Sequence, residues 1–100
     1  MRIIARKNLD AFARQNPSTF VALAAWRKRV KLAEWQSMSD VQAAYPKAKA
    51  LNAERVRFEI QGGDFRLIAA FDFGRQLAFV KFIGTHAQYD RIDALTVARF

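Results

Sequence analysis

The sequence predicts an α+β domain, with helices in the first half of the chain and an antiparallel sheet in the second. Apolar residues recur at helical spacing through residues 9–33, whereas residues 55–60 alternate between apolar and charged side chains. Glycine-containing turn signals separate that strand from two further β-like runs. These patterns predict a small antiparallel sheet with two to three N-terminal helices packed on one face and the opposite face free.

One hundred residues, of which 52% are hydrophobic, are enough for one domain with a core of its own. We therefore expect a single domain over residues 1–100. The chain has no cysteine, which excludes disulfides and thiolate metal sites. Its apolar runs are too short for a signal peptide or a membrane span, so we expect a cytoplasmic protein with no membrane partner.

The net charge of +8 gives information about the partners of the protein but not about its fold. The first fifty residues carry ten Lys and Arg against three Asp and Glu, and the last fifty carry seven against six. A few extra lysines usually form only a solvated surface. In a chain of this size, however, a charge of +8 favours a polyanionic partner, either nucleic acid or an acidic protein.

A short strand and a short helix are predicted at the start of the chain. Two β-branched residues favour the strand over residues 2–5. Asn8 is a suitable N-cap for a helix over residues 9–15, and Asn16-Pro17 ends this helix.

A longer helix is predicted over residues 19–33, with Ser18 as its N-cap and Trp35 as an anchor at its exit. The apolar stripe expected to pack on the sheet consists of Phe20, Leu23, Trp26, Val30 and Ala33. The helix also carries a basic run made of Arg27, Lys28, Arg29 and Lys31. Such a run is most often a solvated face, although it is also suited to contact RNA.

A third, shorter helix follows. Ser39 and Gln42 form a capping-box pattern, and the helix that they start is expected to end at Tyr45 because Pro46 follows. Residues 47–53 are predicted to be a polar connection to the sheet.

Three strands are predicted over residues 55–60, 65–73 and 77–83. Gly62-Gly63 indicates the first hairpin turn, and Gly74-Arg75 indicates the second. The first strand carries apolar residues on one face, and on the other it carries Arg55, Arg57 and Glu59.

The chain is predicted to end with a short helical segment. Thr85 is the expected cap of a single turn over residues 86–91. Residues 92–100 are consistent with either a docked extension or a mobile tail.

The residues around the end of the third strand are suited to metal-independent cleavage of RNA. That reaction needs a base, an acid and cations that stabilise the charge on the phosphate. His86 is the only histidine, and imidazole is the side chain that ordinarily exchanges protons near neutral pH. Tyr89 can donate a hydrogen bond, stack on a base or transfer a proton. The candidate cations are Arg55, Arg57, Arg66 and Lys81.

Each of these residues also has a purely structural interpretation. His86 could be a capping or surface residue, and Tyr89 could belong to the core. Arg66 could simply be the cross-strand partner of Glu59. Strand register, which the sequence leaves open, decides whether the cations share one face.

The sequence gives little support for other kinds of active site. The chain has no cysteine nucleophile, and one histidine cannot build a multi-histidine metal site. Gly62-Gly63 is not followed by a helix, so it is a turn rather than a phosphate-binding loop. We therefore expect neither a cofactor nor a metal site.

Several motifs follow one another in an order that is specific in combination. They are RIIARKNL, LAAWRKRVKLAEW, N-x-x-R-V-x-F-x-I from Asn52, F-R-L from Phe65, and F-x-G-T-H-x-x-Y-D-x-I-D from Phe82. With these motifs the chain resembles the HigB-type toxins of bacterial type II toxin–antitoxin pairs, in the RelE-like superfamily. The resemblance covers nearly the whole chain and implies a RelE-like fold.

The resemblance implies a metal-independent endoribonuclease that cleaves mRNA, often on the ribosome, and so inhibits translation. It also implies a small HigA-like antitoxin with a helix-turn-helix domain, and operator DNA bound only through the toxin–antitoxin complex. An alternative of a different class is a non-catalytic basic module that binds RNA by charge and stacking alone.

The resemblance also bears on the site. His86, Tyr89 and Asp90 match the T-H-x-x-Y-D element of the family, and Arg66 matches its sheet arginine. We interpret His86 as general acid/base, Arg66 and Lys81 as phosphate clamps, and Tyr89 as an orienting or base-stacking group. The supporting or RNA-binding residues are Arg55, Arg57, Asp90, Arg27, Lys28 and Lys31. Glu59 departs from relatives that are cationic on this strand, so it serves either as a base or as the partner of an arginine.

Overall fold

The computed structural model describes all 100 residues and shows an α+β fold, as predicted. The strands are β1 (Arg2–Ile4), β2 (Lys49–Ala50), β3 (Arg55–Ile60), β4 (Phe65–Asp72) and β5 (Leu77–Thr85). The helices are α1 (Arg6–Gln15), α2 (Phe20–Leu32), α3 (Met38–Ala44) and α4 (His86–Tyr89), with 3-10 turns at Pro17–Thr19 and Gln61–Gly63. None of these helices is both long and apolar enough to cross a membrane.

All five strands form one sheet in the order β1-β5-β4-β3-β2. The predicted antiparallel meander of β3, β4 and β5 forms its centre, while β1 pairs with β5 in parallel at one edge. At the other edge, β2 pairs Lys49 and Ala50 with Arg57 and Val56 of β3. Residues 47–53 were predicted to be a polar connection, and this prediction is wrong at Lys49 and Ala50, which form a strand.

The core lies between the sheet and the helices α1, α2 and α3, because alternate residues of each central strand point toward the helices. On α2 and the turn before it, the buried residues follow the spacing i, i+4, i+7 and i+11: Thr19, Leu23, Trp26 and Val30. The prediction that Phe20 leads this stripe is wrong, since Thr19 occupies that place and the Phe20 side chain is 66% exposed. Trp35 is buried at the exit of α2, as predicted.

Three predicted N-caps are wrong. Asn8 lies inside α1, because the chain passes from β1 into this helix without a loop. Ser18 lies in the 3-10 turn that leads directly into α2. Ser39 lies inside α3, which is capped two residues earlier by Ser37, whose hydroxyl accepts a hydrogen bond from the Asp40 amide.

The sheet face opposite the helices is partly covered, so the prediction of a free face is wrong. Ile68 and Phe82 point to this face and are fully buried. The chain after α4 crosses it as a docked extension. The Arg55 guanidinium donates to the carbonyls of Ala94 at 3.1 Å and Val97 at 2.8 Å, and the Arg99 amide donates to Lys81 O at 3.0 Å. Docking is favoured because an apolar row on this face would otherwise meet water.

We expect Arg55→Met to loosen the docked extension, because it removes two charge-assisted hydrogen bonds while preserving bulk. The free energy of unfolding should fall by about 2 kcal/mol, and hydrogen exchange at the Arg99 amide should accelerate. The matched control is Arg75→Met, because the Arg75 side chain is 71% exposed. If the Arg99 amide stayed equally protected in both variants, Arg55 would not hold the extension.

Close packing at Gly84 positions α4 against the sheet. A Cβ atom at Gly84 would lie only 2.7 Å from Phe82 Cζ and 2.6 Å from Gln88 Oε1. The same Gln88 oxygen accepts a hydrogen bond from the Thr85 amide, while the Thr85 hydroxyl accepts one from the Gln88 amide. This capping box starts α4 and confirms the predicted role of Thr85 as its cap.

Gly84→Ala should therefore lower the free energy of unfolding by about 1–3 kcal/mol, because the added methyl group must displace Phe82 or Gln88. Urea denaturation measures this loss. The control is Gly74→Ala, where the nearest atom to an added Cβ is Asp72 Oδ1 at 3.7 Å. Its effect should stay within about 0.5 kcal/mol. An equal loss in both variants would contradict the role assigned to Gly84.

Candidate active site

The candidate active site lies on the sheet face opposite the helices, where the β3–β4 hairpin meets the start of α4. The register places Arg66 of β4 directly between Glu59 of β3 and Gly84 of β5. His86 follows Gly84 by two residues and donates its backbone amide to Asp64 O at 3.1 Å. The hairpin turn and the first turn of α4 are thereby held together.

One carboxylate lies between two guanidiniums in this site. Glu59 Oε1 is 3.8 Å from Arg66 Nη2 and 3.8 Å from Arg57 Nη2. These separations are ion pairs but too long for hydrogen bonds, so the guanidinium donors are not saturated. Arg57 Nε is buried without any hydrogen-bond partner, and Arg66 Nε donates to Gly63 O at a long 3.4 Å. This cluster can bind an anion such as phosphate.

The ring of Tyr89 forms the wall of the site beside Arg66. The Arg66 guanidinium carbon lies 5.7 Å from the centroid of this ring, which is within cation–π range. The same ring packs against buried Phe82, with centroids 6.3 Å apart. Tyr89 is half-buried, so part of its surface remains open to a ligand.

His86 forms a pair with Asp90 one helical turn later. The distance from His86 Nδ1 to Asp90 Oδ2 is 3.0 Å, and the two side chains are 54% and 58% exposed. In the neutral imidazole this contact favours the proton on Nδ1 and leaves Nε2 as an acceptor. In the imidazolium, Nε2 is a donor. The ring is therefore oriented for proton transfer through Nε2.

Lys81 and Arg55 lie elsewhere on this face. Lys81 is the extra residue of a β-bulge, because Phe82 pairs with Ile68 while Val80 pairs with Ala69. Its ammonium nitrogen lies 5.4 Å from the centroid of the Phe79 ring, in a cleft of about 290 Å³ that Arg55 also lines. Arg55 is occupied by the carbonyls of the docked extension. The structure thus does not bring these two cations to Arg66.

Three further predicted residues, Arg27, Lys28 and Lys31, lie on the helical side of the molecule, on α2. They line a cleft of about 850 Å³ together with Arg2 and Arg6. They are therefore separate from the cluster around Arg66.

Two residues that support the site were not among the residues predicted from the sequence. Phe82 supports the Tyr89 ring, and the Gln88 side chain closes the cap of α4. Thr85 and Gln88 have capping-box spacing, so the role of Gln88 had a local signal. Phe82 had no such signal, because an apolar strand residue gives no sign of the ring that it will contact.

No group of three His, Asp or Glu side chains is placed to hold a metal ion. Tyr45 and Asp72, which lie outside the cluster, have displaced pKa values. Burial raises the pKa of the Tyr45 hydroxyl, although the neighbouring Arg29 guanidinium opposes this effect. Hydrogen bonds from the Arg75 side chain and backbone lower the pKa of Asp72.

Comparison with known proteins identifies the family of the chain. Residues 20–92 match the HigB_toxin family, described as the RelE-like toxic component of a toxin–antitoxin system. The chain is also 26% identical over 94 residues to "mRNA interferase HigB" of Escherichia coli O6:H1 (strain CFT073), an alignment that covers 92% of this chain and 91% of that protein. The chain therefore belongs to the HigB family of RelE-like toxins.

Proposed function

We propose that this toxin is an endoribonuclease that cleaves mRNA without a metal ion and so inhibits translation. The observation that carries the proposal is the His86–Asp90 pair at α4, a helix that begins two residues after Gly84, the cross-strand neighbour of Arg66. The Tyr89 ring of the same helix lies beside the Arg66 guanidinium, and Arg66 and Arg57 flank Glu59. Such a reaction requires proton transfer and charge stabilisation at the phosphate, and base stacking can position the RNA for it. The family relationship supports the same activity.

The proposed reaction is attack of a ribose 2′-oxygen on the adjacent phosphorus. Because attack is in line, the base and the acid lie on opposite sides of phosphorus, so one histidine fills only one role. We assign His86 as the acid, which gives its Nε2 proton to the departing 5′ oxygen. Glu59 accepts the proton of the 2′-hydroxyl. The bond between phosphorus and the 5′ oxygen breaks, which leaves a 2′,3′-cyclic phosphate and a 5′-hydroxyl.

The arginines would hold the phosphate during this step. Arg66 and Arg57 can each turn donors toward non-bridging oxygens, because neither is saturated by Glu59. Tyr89 would stack on a base next to the scissile bond. Lys81 is not close to this cluster, so we assign it to a neighbouring phosphate of the same RNA strand.

The family of the toxin supports a proposal about its partners. We propose a HigA-like antitoxin with a helix-turn-helix domain as its inhibitor, and operator DNA bound only through their complex. The substrate is mRNA in the cytoplasm, engaged on the ribosome. The excess of basic residues in the chain supports binding to RNA.

Induction of the chain in a bacterial host should arrest growth and create new transcript 5′ ends within coding regions. His86→Ala should reduce cleavage by about 10²–10⁴-fold, because a general acid is lost. Arg66→Ala should cause a comparable loss, whereas Asp90→Asn should cost about tenfold, because it only orients His86. Mapping of transcript ends measures each effect, and circular dichroism checks that each variant is folded.

The control for these variants is Lys7→Ala, which changes an exposed residue of α1 that lines none of the clefts described above and should leave cleavage unchanged. Lys81→Ala should have a smaller effect than Arg66→Ala. Folded His86→Ala and Arg66→Ala proteins that cleave as well as the wild type would refute the site. Growth arrest with intact transcripts would instead favour a non-catalytic RNA-binding module.

A further inference from the structure

A groove between α1 and α2 lies on the helical side of the molecule, away from the candidate active site. It consists of two adjoining depressions of about 400 and 850 Å³, which share Arg27. On α2 its wall follows helical spacing through Phe20, Ala24, Arg27, Lys28 and Lys31. The eleven helical rises from Phe20 to Lys31 span roughly 16 Å, which is the approximate length of this interhelix groove.

One end of the interhelix groove is apolar and open. Phe20 is 66% exposed and lines this end with Ala24 and with Ala13 of α1. The same helix exposes Val21 at 78% and Leu32 at 72%. The first two turns of α2, residues 20–26, carry only apolar side chains, and the sheet and α1 cover only part of this surface.

The other end of the interhelix groove is strongly basic. Five cationic side chains surround it: Arg2, Arg6, Arg27, Lys28 and Lys31. The acidic residue in the groove is Asp10, which is paired with Arg27. Arg14 adds a sixth cation at the Phe20 end, so five cations of the groove are left without an acidic partner there. A ligand with several negative charges would neutralise them.

We propose that the interhelix groove is the docking site for an acidic amphipathic segment of a protein partner, with apolar side chains at the Phe20 end and carboxylates at the Lys31 end. An amphipathic helix laid in a groove is a common recognition mode of this kind. RNA fits less well, because this end offers a base only one aromatic ring, Phe20, and its other apolar residues are aliphatic. That the partner is the antitoxin rests on the proposed function, whereas the chemistry of the segment does not.

The test uses the full-length protein and two synthetic fluorescein-labelled peptides of 16 residues. The first has leucines at helical spacing in one half and glutamates in the other, and the second has the same composition in scrambled order. We expect the first peptide to bind at least about tenfold more tightly by fluorescence anisotropy. Its amide chemical-shift changes should fall on α1 and α2 rather than on β4 and α4.

Variants of the groove should separate its two ends. Ala24→Glu places a negative charge at the apolar end and should weaken the first peptide about tenfold or more. The double variant Lys28→Glu/Lys31→Glu should do the same at the basic end. The matched control is Lys47→Glu/Lys49→Glu, which makes the same change of charge on exposed residues outside the groove and should change the affinity less than about twofold.

Equal binding of both peptides, or shift changes that fall on the sheet face, would overturn the proposal. So would a 12-nucleotide 2′-O-methyl RNA that displaced the peptide from the same groove residues at lower concentration, since the groove would then be an RNA site. A toxicity assay distinguishes failure of this inference from failure of the proposed function. Ala24→Glu should remain fully toxic although its affinity for the peptide falls. If the wild-type chain were not toxic, the proposed function would be refuted, and the peptide-binding result would be unaffected.

Discussion

The pairing register of β3, β4 and β5 is the constraint on which the rest of the structure depends. It places Glu59, Arg66 and Gly84 side by side on one face while the alternate residues enter the core. A shift of one residue would send the arginines inward and the core residues outward. Burial of the apolar face therefore holds the charged cluster in place, and the stability of the core and the geometry of the site are linked.

Two arginines on the same face of β3 have different roles because they lie at different distances from the docked extension. Arg55 is buried, and the carbonyls of the docked extension occupy its donors. Arg57, two residues later, lies beyond that contact: its Nη2 is 3.8 Å from Glu59 Oε1 and donates to Lys47 O at 3.4 Å, while its buried Nε has no partner. The extension thus divides the face into a closed end that stabilises the fold and an open end. At the open end the Arg57 and Arg66 side chains are 17% and 12% exposed, whereas Glu59 and His86 are 29% and 54% exposed.

The two faces of the sheet provide different kinds of surface. The open end of the sheet face combines arginines with an oriented histidine and an aromatic ring, and these groups suit reaction at a phosphate. The helical side has a groove with an apolar end and a basic end but lacks a histidine. Since the candidate active site and the interhelix groove are on opposite sides of the molecule, an RNA substrate and a protein partner need not compete for the same residues.

The sequence by itself determined the elements and their faces. Strand alternation, the glycine turns and the T-H-x-x-Y-D element predicted the meander, the cap at Thr85 and the proximity of His86, Tyr89 and Asp90, because these features depend on neighbours within a few residues. Predictions from local patterns were wrong where other contacts determined the start of a helix, as for the predicted N-caps Ser18 and Ser39.

Only the tertiary structure decided which distant residues meet. It placed Arg66 beside Glu59 and Tyr89, left Lys81 at a bulge near Phe79, and set the basic run of α2 on the other side of the sheet. It also docked the C-terminal extension onto Arg55. The physical reason is that register, bulges and docked segments depend on the fit of surfaces distant in sequence, and residue spacing carries no information about that fit.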